Sequence, residues 1–172
     1  MSALRSLRHA LERLLEAVCI ALMLGLAVVV VLAVSFRKAG ASLVWYDEVA
    51  AIMLAWLTYY GAALAALRRA HLGFPGVYDS LSPAWRRPLL IIGETLVIGF
   101  FLLLAWYGFE VIRILSGDRL TSLPWVPVSF TQSVIPIGGA LIALAEILTL
   151  PERWRDARTG RSPAPPPEES PD

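Results

Sequence analysis

Ile20-Ala-Leu-Met-Leu-Gly-Leu-Ala-Val-Val-Val-Val-Leu32 contains no polar side chain. It is the centre of an apolar run over residues 17–36, and three more such runs follow, over 49–67, 88–109 and 128–150. Each is close to the ~20 residues a helix needs to cross ~30 Å of hydrocarbon. Of the 172 residues, 57% are hydrophobic, so little remains for a domain in water. A water-soluble chain of this composition would expose large apolar patches. The pattern predicts an all-α membrane protein with four transmembrane helices. Its function must be one that four helices in a bilayer can perform.

The first run is preceded by Arg5, Arg8 and Arg13, as a signal peptide would be. Ser35-Phe-Arg-Lys38 follows it without a clean small-x-small cleavage site, however, and three more spans come after, so a retained helix is expected. Cys19, the single cysteine, lies at the start of this run between Val18 and Ile20 and reads as a packing residue.

Charge sets the expected topology. Eleven of the fifteen basic residues fall in the N-terminal segment (Arg5, Arg8, Arg13), the second loop (Arg68, Arg69, Arg86, Arg87) and the tail (Arg153, Arg155, Arg158, Arg161). Only Arg37, Lys38, Arg113 and Arg119 lie in the other two loops. The positive-inside rule then places the N-terminus, the C-terminus and the second loop in the cytoplasm. The net charge of +1 gives no reason to expect nucleic acid as a partner.

Residues 1–16 form an amphipathic segment, with Leu4, Leu7, Leu11, Leu14 and Leu15 at helical spacing. It reads either as an interfacial helix or as an extension of the first span. The transmembrane domain occupies 17–150. Pro136 breaks the last span, giving either a long helix kinked there or a turn at 129–133 with a shorter span, and the long kinked helix is preferred. Pro151 is expected to end it. The tail, 151–172, is expected to be largely disordered: residues 152–161 are charged and read as a short surface helix, and 162–172 are Pro- and Glu-rich with no apolar anchor.

Chemistry is sparse. His9 and His71 are far apart in sequence, so no metal-ligand cluster is read, and no phosphate-binding glycine loop is present. The chain is expected to be no enzyme and to carry no catalytic, cofactor or metal site. A transport path would need polar groups at the midplane, and the spans offer none. Candidate residues instead suit a partner interface. Trp45, Tyr46, Asp47 and Glu48 precede the second span, where aromatic rings suit the headgroups and carboxylates suit a helix start. Asp47 and Glu48 could also meet a partner, or pair with Arg37 or Lys38. Ala51, Ala55, Thr58, Ala62 and Ala65 form a small-residue stripe, with Gly61 beside it, that would admit a second helix closely. Glu94, Glu110 and Glu146 lie within pairing or snorkelling reach of an interface, or at a partner contact.

Trp45-Tyr-Asp-Glu-Val-Ala50, Trp56-Leu-Thr-Tyr-Tyr-Gly-Ala-Ala-Leu-Ala65, Arg68-Arg-Ala-His71-Leu72 and Val134-Ile-Pro-Ile-Gly-Gly-Ala-Leu-Ile-Ala-Leu144 together carry a resemblance. Over roughly residues 15–150 the chain resembles the small permease subunit of tripartite ATP-independent periplasmic (TRAP) transporters. The resemblance implies a multi-pass protein of the bacterial inner membrane, a static scaffold beside a large permease subunit that moves solute and sodium. A periplasmic solute-binding protein would deliver a carboxylate-type solute. Membrane lipid is the remaining partner. Asp47 and Glu48 match the family's acidic pair, Gly61 its small packing site and His71 its histidine. Leu72-Gly-Phe-Pro-Gly76 departs from the hydrophobic-acidic segment usual there. The other reading is an unrelated four-helix assembly or anchor protein, which a neighbouring large permease gene would exclude.

Overall fold

The computed structural model describes residues 2–68 and 83–159. His71 and the segment 162–172 therefore lie outside the described residues. Within them the chain forms α1 (Ser2–Lys38), α2 (Tyr46–Leu67), α3 (Pro83–Ile114), a 3₁₀ turn (Leu115–Gly117), α4 (Val128–Gln132) and α5 (Val134–Thr159). Four stretches are long and apolar enough to cross a membrane: Ser6–Lys38, Tyr46–Leu67, Pro88–Gly117 and Val128–Pro151. The all-α, four-span class follows.

No turn separates residues 2–16 from the first span. The 37 residues of α1 form one helix of about 55 Å, well beyond the ~30 Å of hydrocarbon. Leu11 and Leu15 of its first half pack into the core, which continues the same helical face that the later residues use. α1 ends at Lys38 and the chain turns at Gly40, whose φ of 78° is open to glycine without strain. Gly40 N–H bonds Arg37 O at 3.2 Å and Ala41 N–H bonds Phe36 O at 3.0 Å, closing the last turn.

Three boundaries differ from expectation. α3 begins at Pro83 and carries Pro88 inside it. The last span is interrupted at Ser133, three residues before Pro136, rather than kinked at the proline itself. Pro136 has no N–H for the carbonyl of Gln132, so the ladder fails one turn earlier, where α4 stops. Pro151 does not end α5, which runs on to Thr159. A proline removes one ladder bond, and here the deprived carbonyl belongs to Ile147, an exposed residue near the end of the span.

Packing follows a row, not a closed bundle. α1 leans chiefly on α2, α2 on α5, and α5 on α3. The buried core joins Leu15 of α1, Ala63, Ala66 and Leu67 of α2, and Ile142 and Ala145 of α5. α5 fits between its neighbours through two adjacent glycines. A Cβ at Gly138 would stand 2.7 Å from the Cβ of Tyr59 on α2. A Cβ at Gly139 would meet the α3 backbone, 3.1 Å from Phe101 O and 3.2 Å from Ala105 N. Successive residues on a helix point about 100° apart, so one pair serves two neighbours.

This geometry sets a contrast. Gly138→Ala should lower the stability of the purified chain by about 1–3 kcal/mol, because the new methyl meets Tyr59 at its root. Gly61→Ala, where a Cβ meets nothing within 4 Å, should leave it unchanged or slightly raised. Thermal unfolding in mild detergent reads both. Equal melting temperatures for the two variants would contradict the close approach.

Candidate functional site

α2 is the element on which the singled-out residues converge, and its two ends are held differently. At the Glu48 end, Trp45 is half-buried and makes no side-chain cap, and Asp47 is exposed. Glu48 does not pair with Arg37 or Lys38. Its carboxylate accepts the N–H of Thr121 at 3.3 Å, the N–H of Ser122 at 3.0 Å and the Ser122 hydroxyl. Arg37 instead donates to the Tyr46 hydroxyl, its guanidinium 5.5 Å from that ring's centre. Thus α2 carries a loop from the far side of the chain on its first turn.

Farther along α2, Trp56 donates its indole N–H to Thr131 O at 3.0 Å. Its ring lies 5.2 Å from Phe130 and 6.4 Å from Tyr60, both edge-on. Thr131 is near the end of α4, where carbonyls lose their ladder partners. In hydrocarbon such a group has no water to turn to, and the indole supplies the missing donor.

The small residues look outward. Ala51, Ala55 and Thr58 are exposed, Ala62 is half-buried, and Gly61 opens on empty space. Thr58 returns its hydroxyl to Leu54 O at 2.8 Å, which leaves its methyl on the surface. Ala62 touches the core, but the chain does not use the Ala51, Ala55 and Thr58 part of the stripe for close packing; its close approaches are Gly25 against Met53 and Gly138 against Tyr59.

At the Arg68 end, the Arg68 guanidinium bridges Glu12 at 2.8 Å and Glu16 at 3.0 Å, both on α1. The hydrogen bonds to Glu12 and then Glu16 hold Arg68 even more firmly in its charged form. Arg8 donates to Leu67 O at 2.6 Å, satisfying a terminal carbonyl of α2. Neither Arg8 nor Arg68 was picked out by the sequence as a packing residue, nor was Trp56. The signal for Trp56 was present: an indole N–H inside an Ala/Leu span must find an acceptor.

The three carboxylates part ways. Glu146 is 1% exposed and lies inside the protein, on the buried side of α5 rather than at a surface. Glu94 is half-buried and lines a groove of about 580 Å³ between α3 and the last turns of α5, with Ile98, Leu102, Leu150 and Trp154. Glu110 pairs with Arg113 one turn on, at 3.1 Å. Among the described residues no group of three or more His, Cys, Asp or Glu could hold a metal ion. The candidates therefore do not form one chemical constellation. They are spread along α2, with outliers on α3 and α5.

Residues 26–156 match the family model described as tripartite ATP-independent periplasmic transporters, DctQ component. The chain belongs to that family. The match takes in α2, α3 and α4 whole, with the last third of α1 and nearly all of α5. It is the resemblance carried by the Trp45–Ala50 and Trp56–Ala65 motifs. The DctQ component is a transporter part, the TRAP small permease subunit, and not an enzyme family. No curated protein matches the chain.

Trp56→Phe keeps an aromatic ring and removes only the N–H. Leaving Thr131 O without its donor should cost about 1–3 kcal/mol. A lower melting temperature of the purified DctQ component is expected. An unchanged one would mean that another donor reaches the carbonyl.

Proposed function

We propose that this DctQ component is the static scaffold of a secondary active, ion-coupled transporter in the bacterial inner membrane. It holds the large permease subunit, which carries out symport of a carboxylate-type solute with sodium. A periplasmic solute-binding protein delivers that solute. Both termini are cytoplasmic, the Arg68 end of α2 faces the cytoplasm, and the Glu48 end faces the periplasm. The eleven-to-four division of basic residues supports this orientation.

The observation that carries the scaffold reading is the outward face of α2. Bulky apolar side chains solvate well in lipid: Met23, Leu24, Val28 and Val31 cover α1, and Leu96, Phe100, Leu103 and Trp106 cover α3. α2 offers Ala55, Thr58, Gly61 and Ala62 instead, a surface that gains most from a second helix backbone. These four residues are the proposed contact with the large permease. Trp45 and Asp47 flank it at the periplasmic end.

Ala55→Leu adds bulk to an exposed position. It should weaken co-purification with the large permease about tenfold or more, in line with overpacking at a close helix interface, while the isolated subunit keeps its melting temperature. Unchanged association would turn this face over to lipid.

The orientation has its own test. Compartment reporters fused after Ser42, Ser80, Gly117 and Gly160 should read outside, inside, outside and inside. A cytoplasmic signal from the Ser42 fusion would reverse the assignment.

A further inference from the structure

The connection between α3 and α4 is more ordered than a ten-residue surface loop needs to be. Val128 N–H bonds Asp118 O at 3.0 Å and closes its base, where Arg119 and Pro127 form a bridge. Leu120 N–H reaches Val126 O at 3.1 Å, and Val126 N–H reaches Leu123 O at 2.9 Å. Arg119 donates to the carbonyl of Trp125 at 3.4 Å. The tip, Thr121 and Ser122, hangs on the Glu48 carboxylate. Its base stands on α3 and α4 and its tip on α2. The loop therefore lies across the Glu48 end of the helices instead of trailing from their rim.

Asp118, Arg119, Thr121, Pro124 and Trp125 are exposed on this platform, and Trp125 and Arg119 are the two large side chains among them. Trp125 is 72% exposed, and Arg119 is exposed. Tryptophan and arginine are the residues that most often dominate protein interfaces. A loop already fixed in shape loses little entropy when something docks on it. A tryptophan meant only for lipid headgroups needs neither the pinned tip nor a place across the helix ends.

We propose that residues 118–127 are the surface this subunit offers to the solute-binding protein, with Trp125 as the anchor and Arg119 beside it. Glu48 is the positioning residue beneath them. This rests on the orientation and the three-part assembly proposed above. It assigns Glu48 a role in docking that it exerts through the loop, without touching the binding protein.

The test uses the complete three-part system in proteoliposomes, with the binding protein titrated. Trp125→Ala should raise the half-saturating concentration of binding protein about tenfold, the scale of a lost interface anchor. Glu48→Ala should raise it as well, with Glu48→Gln recovering part of the loss because it keeps an acceptor oxygen. Co-purification with the large permease should be unaffected in all three, which separates this inference from the scaffold reading. A photoreactive benzophenone amino acid at position 125 should give an adduct with the binding protein. An unchanged half-saturating concentration for Trp125→Ala overturns the proposal. So do adducts confined to lipid or to the large permease, and so does loss of co-purification in Trp125→Ala.

Discussion

A backbone carbonyl in hydrocarbon must find its donor inside the protein, and this requirement organises the last span and what surrounds it. Pro136 removes an N–H from the ladder, and the helix separates into α4 and α5 at Ser133. Trp56 lies eight residues beyond Glu48, about 12 Å farther along α2. With Glu48 at headgroup level, that depth is already within the apolar layer. The indole bond to Thr131 O is therefore made where water cannot substitute. It ties α2 to α4 immediately before α5 begins. Gly138 and Gly139 follow within the next turns and bring α5 against α2 and α3. The break, the indole and the glycine pair are one device: a span that bends under α2 and then packs tightly on both sides.

Because each helix leans chiefly on its neighbours in the row, much of the surface stays open. In water that would be an aggregation hazard; in a bilayer it is a set of faces of different character. The faces of α1 and α3 are built of Leu, Val, Ile and Phe, and lipid tails serve them well. The α2 face is built of Ala, Thr and Gly and has little side chain to offer a lipid. Open area alone would not single out α2, since α1 and α3 expose more. The difference in side-chain size does. That difference is what the proposed scaffold role rests on.

The four spans and the helical class were legible because length and hydropathy are local properties, each read within one window of ~20 residues. The family motif was legible for the same reason. The pairings were not. Glu48 reaches Ser122 across 74 positions, Trp56 reaches Thr131 across 75, and Arg68 reaches Glu12 across 56. No periodicity links residues so far apart. The nearest opposite charges in sequence, Arg37 and Lys38, were natural partners to consider for Glu48, yet backbone N–H groups of a distant loop occupy its carboxylate. The prolines misled in the other direction. Pro151 looked like a stop, but α5 carries it inside the helix, with the deprived carbonyl on Ile147, an exposed residue near the span's end.

The pairing of α1 with α2 shows why the helix ends carry information that the membrane core cannot. Between the ends, the two helices meet through apolar surface, with Gly25 against Met53 as the close point. Dispersion is favourable at many offsets and chooses none strongly. At one end Arg37 engages Tyr46; at the other Arg68 engages Glu12 and Glu16, and Arg8 takes Leu67 O. These groups are partly exposed, so each ion pair is worth only about 0.2–1 kcal/mol. Their value lies in direction. A slip of one turn, about 5.4 Å, would break the contacts at both ends together and leave the apolar middle nearly indifferent. The amphipathic residues 2–16 thus have a definite task in the fold. They carry α1 past the end of α2, to where charged side chains can meet and set the register of the two helices.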